Sequence, residues 1–379
     1  MRTFVLAALM LIACTPPASS DEANTFLITV TGEESATEGT GFPPAPGGGE
    51  PYFVDGWELH WEHVLVTVGT VTLSEGPETN PNDQSVTGAD VAQATGPWAV
   101  DLAKEGPLSS KEQNGTAWPL VRIEKQNLKK GSPSFDPLSR YAISYSLITA
   151  AEGAQLINLD PSAEAAYRTM KQNGWSVLLQ GTATWRGDQG NPSCRSTDQT
   201  YDFTRFPRSV KFSFGFAAPV HFKNCVNPEL QPGDSRGVQT VSNTQTIAQL
   251  TFHLDHPFWE ALAEDAPLRW DALAARRSVA MGMGPDQAEL TNADLSFDVF
   301  APRDAQGAPI PWRTCGPVEA NERSSGSVFN DPVNVPVNPA GGATGLRDVA
   351  DYMTYNLSTF GHLNNDGLCF PERQYPSPF

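Results

Sequence analysis

Basic residues are the first thing this sequence is short of. Among 379 residues there are 25 Lys and Arg against 43 Asp and Glu, a formal charge of -18 at pH 7. Nucleic-acid affinity rests on Lys and Arg displacing counterions from a phosphate polymer, so this balance excludes a DNA- or RNA-binding role. Charge of either sign is thin, at 18% of residues. Long apolar runs are missing as well: the clearest, Phe4 to Ala13 (FVLAALMLIA), is too short to cross a bilayer as a permanent helix. There is no Gly-x-Ser-x-Gly elbow, no Gly-x-Gly-x-x-Gly, no Walker loop and no His-Glu-x-x-His, which removes the commonest signatures of serine hydrolases, nucleotide binders and zinc proteases. Cysteine and histidine are few, five and six, so their positions carry more weight than their number.

Glycine and proline are plentiful instead, 32 of each, which favours short strands joined by tight turns and excludes helical bundles and coiled coils. Strand patterns run through Phe26 to Thr31, Trp57 to Leu73, Trp98 to Leu102, Leu120 to Glu124, Tyr141 to Ile148, Trp175 to Trp185, Val210 to Phe216 and Ile247 to Leu254. The segment from Trp57 is too long for one regular strand and is expected to bulge or break, with Gly69 as the candidate position. Helical patterns are confined to Ser162–Gln172, Pro257–Ala263, Leu268–Arg277 and Leu346–Leu357, and one further strand is expected near Leu295 to Phe300. The fold class predicted is mainly β: a β-sandwich-like region over 25–243, followed by a mixed strand and helix region over 244–379 that packs on it.

The N-terminus reads as an export signal over 1–13, with Arg2 ahead of the apolar run and Leu11-Ile12-Ala13-Cys14 at its end. That tetrad resembles the lipobox of bacterial lipoproteins, which implies that Cys14 becomes an acylated, palmitate-bearing N-terminus that anchors the chain in a membrane. Residues 14–24 then form a polar, proline-containing tether, and Thr15 after the cysteine implies the outer membrane of the cell envelope. In such an oxidising compartment Cys194, Cys225, Cys315 and Cys369 are expected as two disulfides. Three pairings exist, and nearness in sequence favours Cys194 with Cys225 and Cys315 with Cys369.

Four of the histidines form two His-x-x-His pairs, His60 with His63 and His253 with His256. On a strand such a pair points to opposite faces, so it chelates only where a bulge or strand end intervenes. His63 lies on an apolar face and reads as a satisfied core histidine, whereas Glu58, His60 and Glu62 read as a solvated face. The second pair meets a strand end. In Thr251–Trp259 (TFHLDHPFW), His253 and Asp255 share a face, and Pro257 turns the chain at His256. Two imidazoles and a carboxylate at such a corner suit copper or zinc. The alternative is a structural corner in which Asp255 merely caps the turn. His362, in the turn-rich Phe360–Cys369 segment, is the candidate third imidazole, while Asn364, Asn365 and Asp366 read as turn residues. The tryptophans at 57, 61, 98, 175 and 185 are expected mostly in the core, although exposed ones would stack on a glycan.

The segments His253–Trp259, Leu268–Ala274 and Gly361–Cys369 together resemble a family of lipoproteins from myxobacteria and their relatives. That family combines a His-x-Asp-His strand end, a short helical region like a degraded calcium hand and a terminal Gly-His turn. The loop Arg276–Pro285 carries no carboxylate here, which removes a calcium role. Residues 25–185 are also similar, in strand order alone, to the periplasmic copper-binding partner family associated with methanobactin operons, which implies metal without transferring any ligand. The expected function is a non-enzymatic outer-membrane lipoprotein that binds copper or zinc through His253, His256 and His362, with Asp255 as ligand or as acceptor of one imidazole N–H. The alternative is a metal-free cell-surface module that holds a protein or glycan partner.

Overall fold

The inward face of the strand Trp57–Glu75 changes parity twice, and each change coincides with a bulge. Trp57 and Leu59 point into the core, then Val64, Val66 and Val68, then Val71 and Leu73. The pairing register slips between Trp61 and His63 against Val177–Trp185, and between Val68 and Thr70 against Asp90–Asp101. A one-residue insertion exchanges the two faces of everything beyond it, so one continuous chain serves the core across nineteen residues. Gly69 sits at the second slip, where Ser146 Oγ would meet a Cβ at 2.6 Å. The first slip leaves His63 buried beside Asp101, whose Oδ2 lies 2.7 Å from its Nδ1.

The computed structural model describes residues 24–44, 51–112, 115–188, 194–231, 235–260, 266–279, 286–298, 301–315 and 348–374. The export signal, Cys14 and nearly all of the tether lie outside these residues, as does the loop 280–285. One sheet runs in the order Gly367–Leu368, Gly361–Leu363, Gln245–Phe252, Thr25–Thr31, Thr116–Ile123, Leu108–Ser109. The other has Gln287–Thr291, Ser209–Phe216, Val177–Trp185, Trp57–Glu75, Arg140–Leu147, Val220–Lys223 and Phe370–Arg373 in sequence across it, with Asp90–Asp101 also paired to the long strand. Phe26, Ile28 and Val30 of the first sheet meet Val64, Val66 and Val68 of the second in a shared core, the packing of a β-sandwich. Each such side chain contributes roughly 1.5–3 kcal/mol through burial.

Both sheets draw on both halves of the chain. Gln245–Phe252 lies parallel to Thr25–Thr31, Gln287–Thr291 extends Ser209–Phe216, and Phe370–Arg373 pairs with Val220–Lys223. The residues after 244 therefore complete the sandwich as well as decorating it.

The helix Pro161–Asn173 packs on the outer side of the second sheet, where Ala163, Tyr167 and Met170 meet Leu65, Ala99 and Leu178. Asp160 caps it, accepting from the Ser162 and Ala163 amides, with Pro161 in the first turn, so the start lies ahead of Ser162. It stops at Gly174 in the left-handed conformation, as Asn173-Gly174 predicts.

Three expectations are corrected. The disulfides join Cys194 to Cys315 and Cys225 to Cys369, across 121 and 144 residues of sequence, instead of the nearer pairs. The strand ladders decide this: Arg195–Ser196 pairs with Arg313–Thr314, which sets Cys194 beside Cys315, and Lys223 faces Phe370, which sets Cys225 beside Cys369. Residues Asn292–Leu295 form a 3₁₀ turn after the strand Gln287–Thr291, with Asp294 reaching back to cap Thr291, and the described residues 296–298 form no strand. The helix expected over Pro257–Ala263 is a single 3₁₀ turn, His256–Phe258, within the described residues. The short helical region likened to a degraded calcium hand is, among the described residues, a short helix at Asp271–Ala274 with a 3₁₀ turn at Ala275–Arg277, and Gln287–Thr291 is a strand.

Candidate metal centre

His253, His256 and His362 converge at one edge of the first sheet, with one donor nitrogen from each within 4.8 Å of the others. Register explains two of the three. Thr251 lies directly opposite His362 in the antiparallel pair of Gln245–Phe252 with Gly361–Leu363. His253 follows Thr251 by two residues, so its side chain emerges on the same face, diagonal to His362. The His253 amide continues the pairing by donating to the Phe360 carbonyl at 2.8 Å. His256 then arrives from the corner, as the first residue of the 3₁₀ turn that Pro257 begins.

The hairpin that carries His362 is held on three sides. Asn364 and Asn365 take left-handed φ values of 50° and 81°, the conformation a tight hairpin turn asks of two successive residues. The side chain of Asn364 accepts from the Gln249 amide at 3.0 Å, and Tyr145 Oη donates to the His362 carbonyl at 2.9 Å. The Cys225–Cys369 disulfide closes the far end.

The rings of His253 and His362 stack at 4.0 Å between centroids and 13° between planes, and His256 stands near-perpendicular to both. The indole of Trp259 covers the remaining face of His256 at 3.8 Å. His256 and His362 are each 3% exposed. A tetrahedral ion with bonds of about 2.05 Å needs donors roughly 3.3 Å apart, so loading requires the rings to turn and draw together from their present spacing.

Hydrogen bonding assigns the tautomers of two of the rings. Thr359 Oγ1 donates to the Asn356 carbonyl at 2.8 Å, so at 3.0 Å from His256 Nδ1 it acts as the acceptor. His256 therefore carries its proton on Nδ1 and keeps the Nε2 lone pair for a ligand. His253 Nε2 faces oxygen only: the Asn365 carbonyl at 3.3 Å, Glu33 Oε1 at 3.4 Å and Asp366 Oδ1 at 4.0 Å. Its proton belongs there, and Nδ1 is the donor. His362 differs from both. Neither of its ring nitrogens makes a hydrogen bond of good geometry among the described residues, although the ring is buried and the backbone of Asp366 and Thr359 lies close enough to favour its charged form.

Charge follows from these surroundings. Burial opposes charge on His253, but the Glu33 carboxylate beside it, with Asp255 and Asp366 adding to the field, pushes its pKa up to about 9. His362 moves the other way: burial, aided by the charge on His253, brings it down to about 3, against a weak pull from the carbonyls of Asp366 and Thr359. Burial, then His362 and His253, hold His256 well below the ordinary histidine range. Two neutral imidazoles thus sit beside one imidazolium, and neutral imidazole is the form that binds transition metals.

Asp255 takes neither role expected of it. Its Oδ2 accepts the Trp259 indole N–H at 3.0 Å, which fixes the ring that covers His256, while burial raises its own pKa. The carboxylate beside an imidazole is Glu33 instead, which follows Thr25–Thr31 and comes from the other end of the chain. No local motif marks it. Thr359 is equally silent in sequence. Of the remaining candidates, Glu58 pairs with His60 at 3.0 Å on the solvated face, and Trp57 and Trp98 are buried while Trp61, Trp175 and Trp185 are half-buried. The pocket lined by Trp57, Trp185, Phe203, Phe206 and Arg313 shares no residue with the histidines. Compared with known proteins, the chain matches no protein-family model, no curated protein and no solved structure.

Proposed function

We propose that this protein is an exported, lipid-anchored envelope protein that binds a transition-metal ion, copper or zinc, through His253, His256 and His362 without catalysing a reaction. The observation that carries the reading is the buried His362 ring, neither of whose nitrogens makes a well-formed hydrogen bond among the described residues. Burying an imidazole without partners costs about 1–3 kcal/mol, which the fold recovers if an ion takes one of those nitrogens. The assigned tautomer of His256 supports it, since its Nε2 keeps a lone pair, and His253 offers Nδ1 once an ion displaces its second proton. Imidazole nitrogens without thiolate suit zinc(II) and copper, and the four cysteines outside the export signal are committed to disulfides. Burial of two of the rings favours holding an ion over admitting a substrate. Anchorage at Cys14 would attach the chain ahead of Thr25–Thr31, and the centre lies beyond the other end of that strand, which is about 23 Å long at 3.3 Å per residue.

The test is to express the untagged protein, determine bound metals and follow thermal unfolding with added zinc(II) and copper(II). A ligand that binds only the folded state stabilises it by about 2.7 kcal/mol at a hundred times its Kd. Stoichiometric metal in wild type, lost in His253→Ala and His362→Ala, is expected. Wild type without metal and without a thermal response to either ion would sink the proposal and leave the surface-module reading. Mass spectrometry of the membrane fraction checks acylation at Cys14.

A further inference from the structure

Glu33 occupies a backbone conformation that side chains avoid. Its φ is +63°, in the left-handed region where glycine is the ordinary choice. The turn needs that shape: the preceding Gly32 is packed so closely that a Cβ there would lie 2.6 Å from the Ala36 Cβ. If the turn alone mattered, glycine or asparagine at 33 would make it with less strain. What glutamate adds is its carboxylate, 13% exposed, with Oε1 3.4 Å from His253 Nε2. Strain kept at one residue whose side chain reaches a functional cluster is the pattern expected of a functional constraint.

We propose that Glu33 is the positioning residue of the metal centre: its carboxylate holds the Nε2 side of His253, so that Nδ1 faces the ion. This rests on the histidine site binding metal, and deepens that reading by naming what sets its affinity. A carboxylate behind a ligating imidazole fixes the tautomer and ring orientation and makes the nitrogen a better donor. The orientation matters here because the His253 and His362 planes are nearly parallel, so one ring has to turn for the lone pairs to converge. The Asn365 carbonyl at 3.3 Å is the other oxygen close to Nε2, and Asp366 lies at 4.0 Å with its side chain mostly in solvent. Neither supplies a buried charge. Glu33 also lies at the one part of the cluster open to solvent, since His253 is the most exposed of the three rings, which places an acidic group where a cation enters.

The experiment compares full-length wild type with Glu33→Gln, Glu33→Ala and Glu33→Gly. Zinc(II) and copper(II) affinities come from competition with a chromophoric chelator, metal-free stability from urea unfolding, and ligand number from X-ray absorption of the zinc-loaded proteins. Expected is a loss of affinity of about 10–100-fold in Glu33→Ala and Glu33→Gly, less in Glu33→Gln, which keeps an oxygen beside Nε2 without the charge. Glu33→Gly is expected to unfold at a higher urea concentration than Glu33→Ala, because both lose the same carboxylate and only glycine relieves the strained φ, so equal affinity losses in the two cannot come from a weakened fold. The first shell is expected to keep three nitrogens in every variant. Affinities within twofold of wild type, losses that scale with metal-free stability, or disappearance of an oxygen neighbour in Glu33→Gln would each overturn the positioning role. If wild type binds neither ion, the histidine site itself fails, which the wild-type titration shows before any variant is examined.

Discussion

Replacing His362 by phenylalanine should make the metal-free protein more stable and the metal-loaded protein less stable. The wild-type ring is 3% exposed, neither nitrogen makes a well-formed hydrogen bond among the described residues, and its face lies 4.0 Å from the ring of His253. Phenylalanine keeps a flat ring of similar size in that stack and removes both unsatisfied polar atoms. Leaving such atoms buried costs about 1–3 kcal/mol, so the metal-free variant should gain an amount of that order. The new ring also offers a π face to the charged His253, worth about 0.5–2 kcal/mol when desolvated. Against this, one extra ring atom in a packed site costs up to about 1 kcal/mol, which leaves the net positive. With zinc(II) at about ten thousand times its Kd the wild type gains about 5.5 kcal/mol, more than the variant's largest metal-free gain of about 5 kcal/mol, and the variant gains nothing from the ion. Urea unfolding with chelator and then with excess zinc(II) should therefore rank the two proteins in opposite orders. Most core substitutions destabilise under every condition, so this reversal separates a metal ligand from a packing residue. A variant less stable than wild type without metal, or one that still gains from zinc(II), would refute the argument.

Other outcomes follow from the same geometry. His256 and His362 are neutral when folded and titrate near 6.5 when unfolded, so metal-free stability should fall as pH drops below about 6.5, by roughly 1.4 kcal/mol per pH unit for each group. His253 has the opposite sign: its contribution is complete below about 6.5 and is lost as pH rises through about 9, so the urea midpoint should peak near pH 6.5, and His362→Phe should flatten the acid side. Removing the Cys225–Cys369 disulfide by a double serine substitution should cost about 2–5 kcal/mol and weaken metal binding, because that bond closes the hairpin carrying His362. The same change at Cys194 and Cys315 should lower stability and leave metal affinity unchanged in titration. Arg313→Met strips the buried Asp271 of its guanidinium, and about 3–5 kcal/mol should be lost in urea unfolding with metal content intact.

Local chemistry made part of this protein legible from its residues alone. Alternation placed the strands, Asn173-Gly174 ended the main helix, and Asn364-Asn365 announced a tight turn. Pro257 marked the corner that presents His256, and spacing put His253 on the face where it lies. All of these act over a few residues, through steric limits on φ and ψ or the two-residue repeat of a strand.

What joins distant segments was decided by the ladders. Nothing near Thr25 says that it will lie parallel to Gln245, yet that pairing brings Glu33 to His253 across 220 residues. Disulfide choice has the same origin, since a cysteine bonds to whatever the neighbouring strand delivers, however far it lies along the chain. Asp255 shows the limit of adjacency: two residues from His253 in sequence, it turns to the Trp259 indole, and a carboxylate from the opposite end of the chain takes the place beside the imidazole. The sequence by itself determined which residue types were on hand for a metal and where two of them would emerge. Only the tertiary structure decided which carboxylate stands beside them and brought His362 to them, because those contacts depend on strand register and packing between segments that share no local signal.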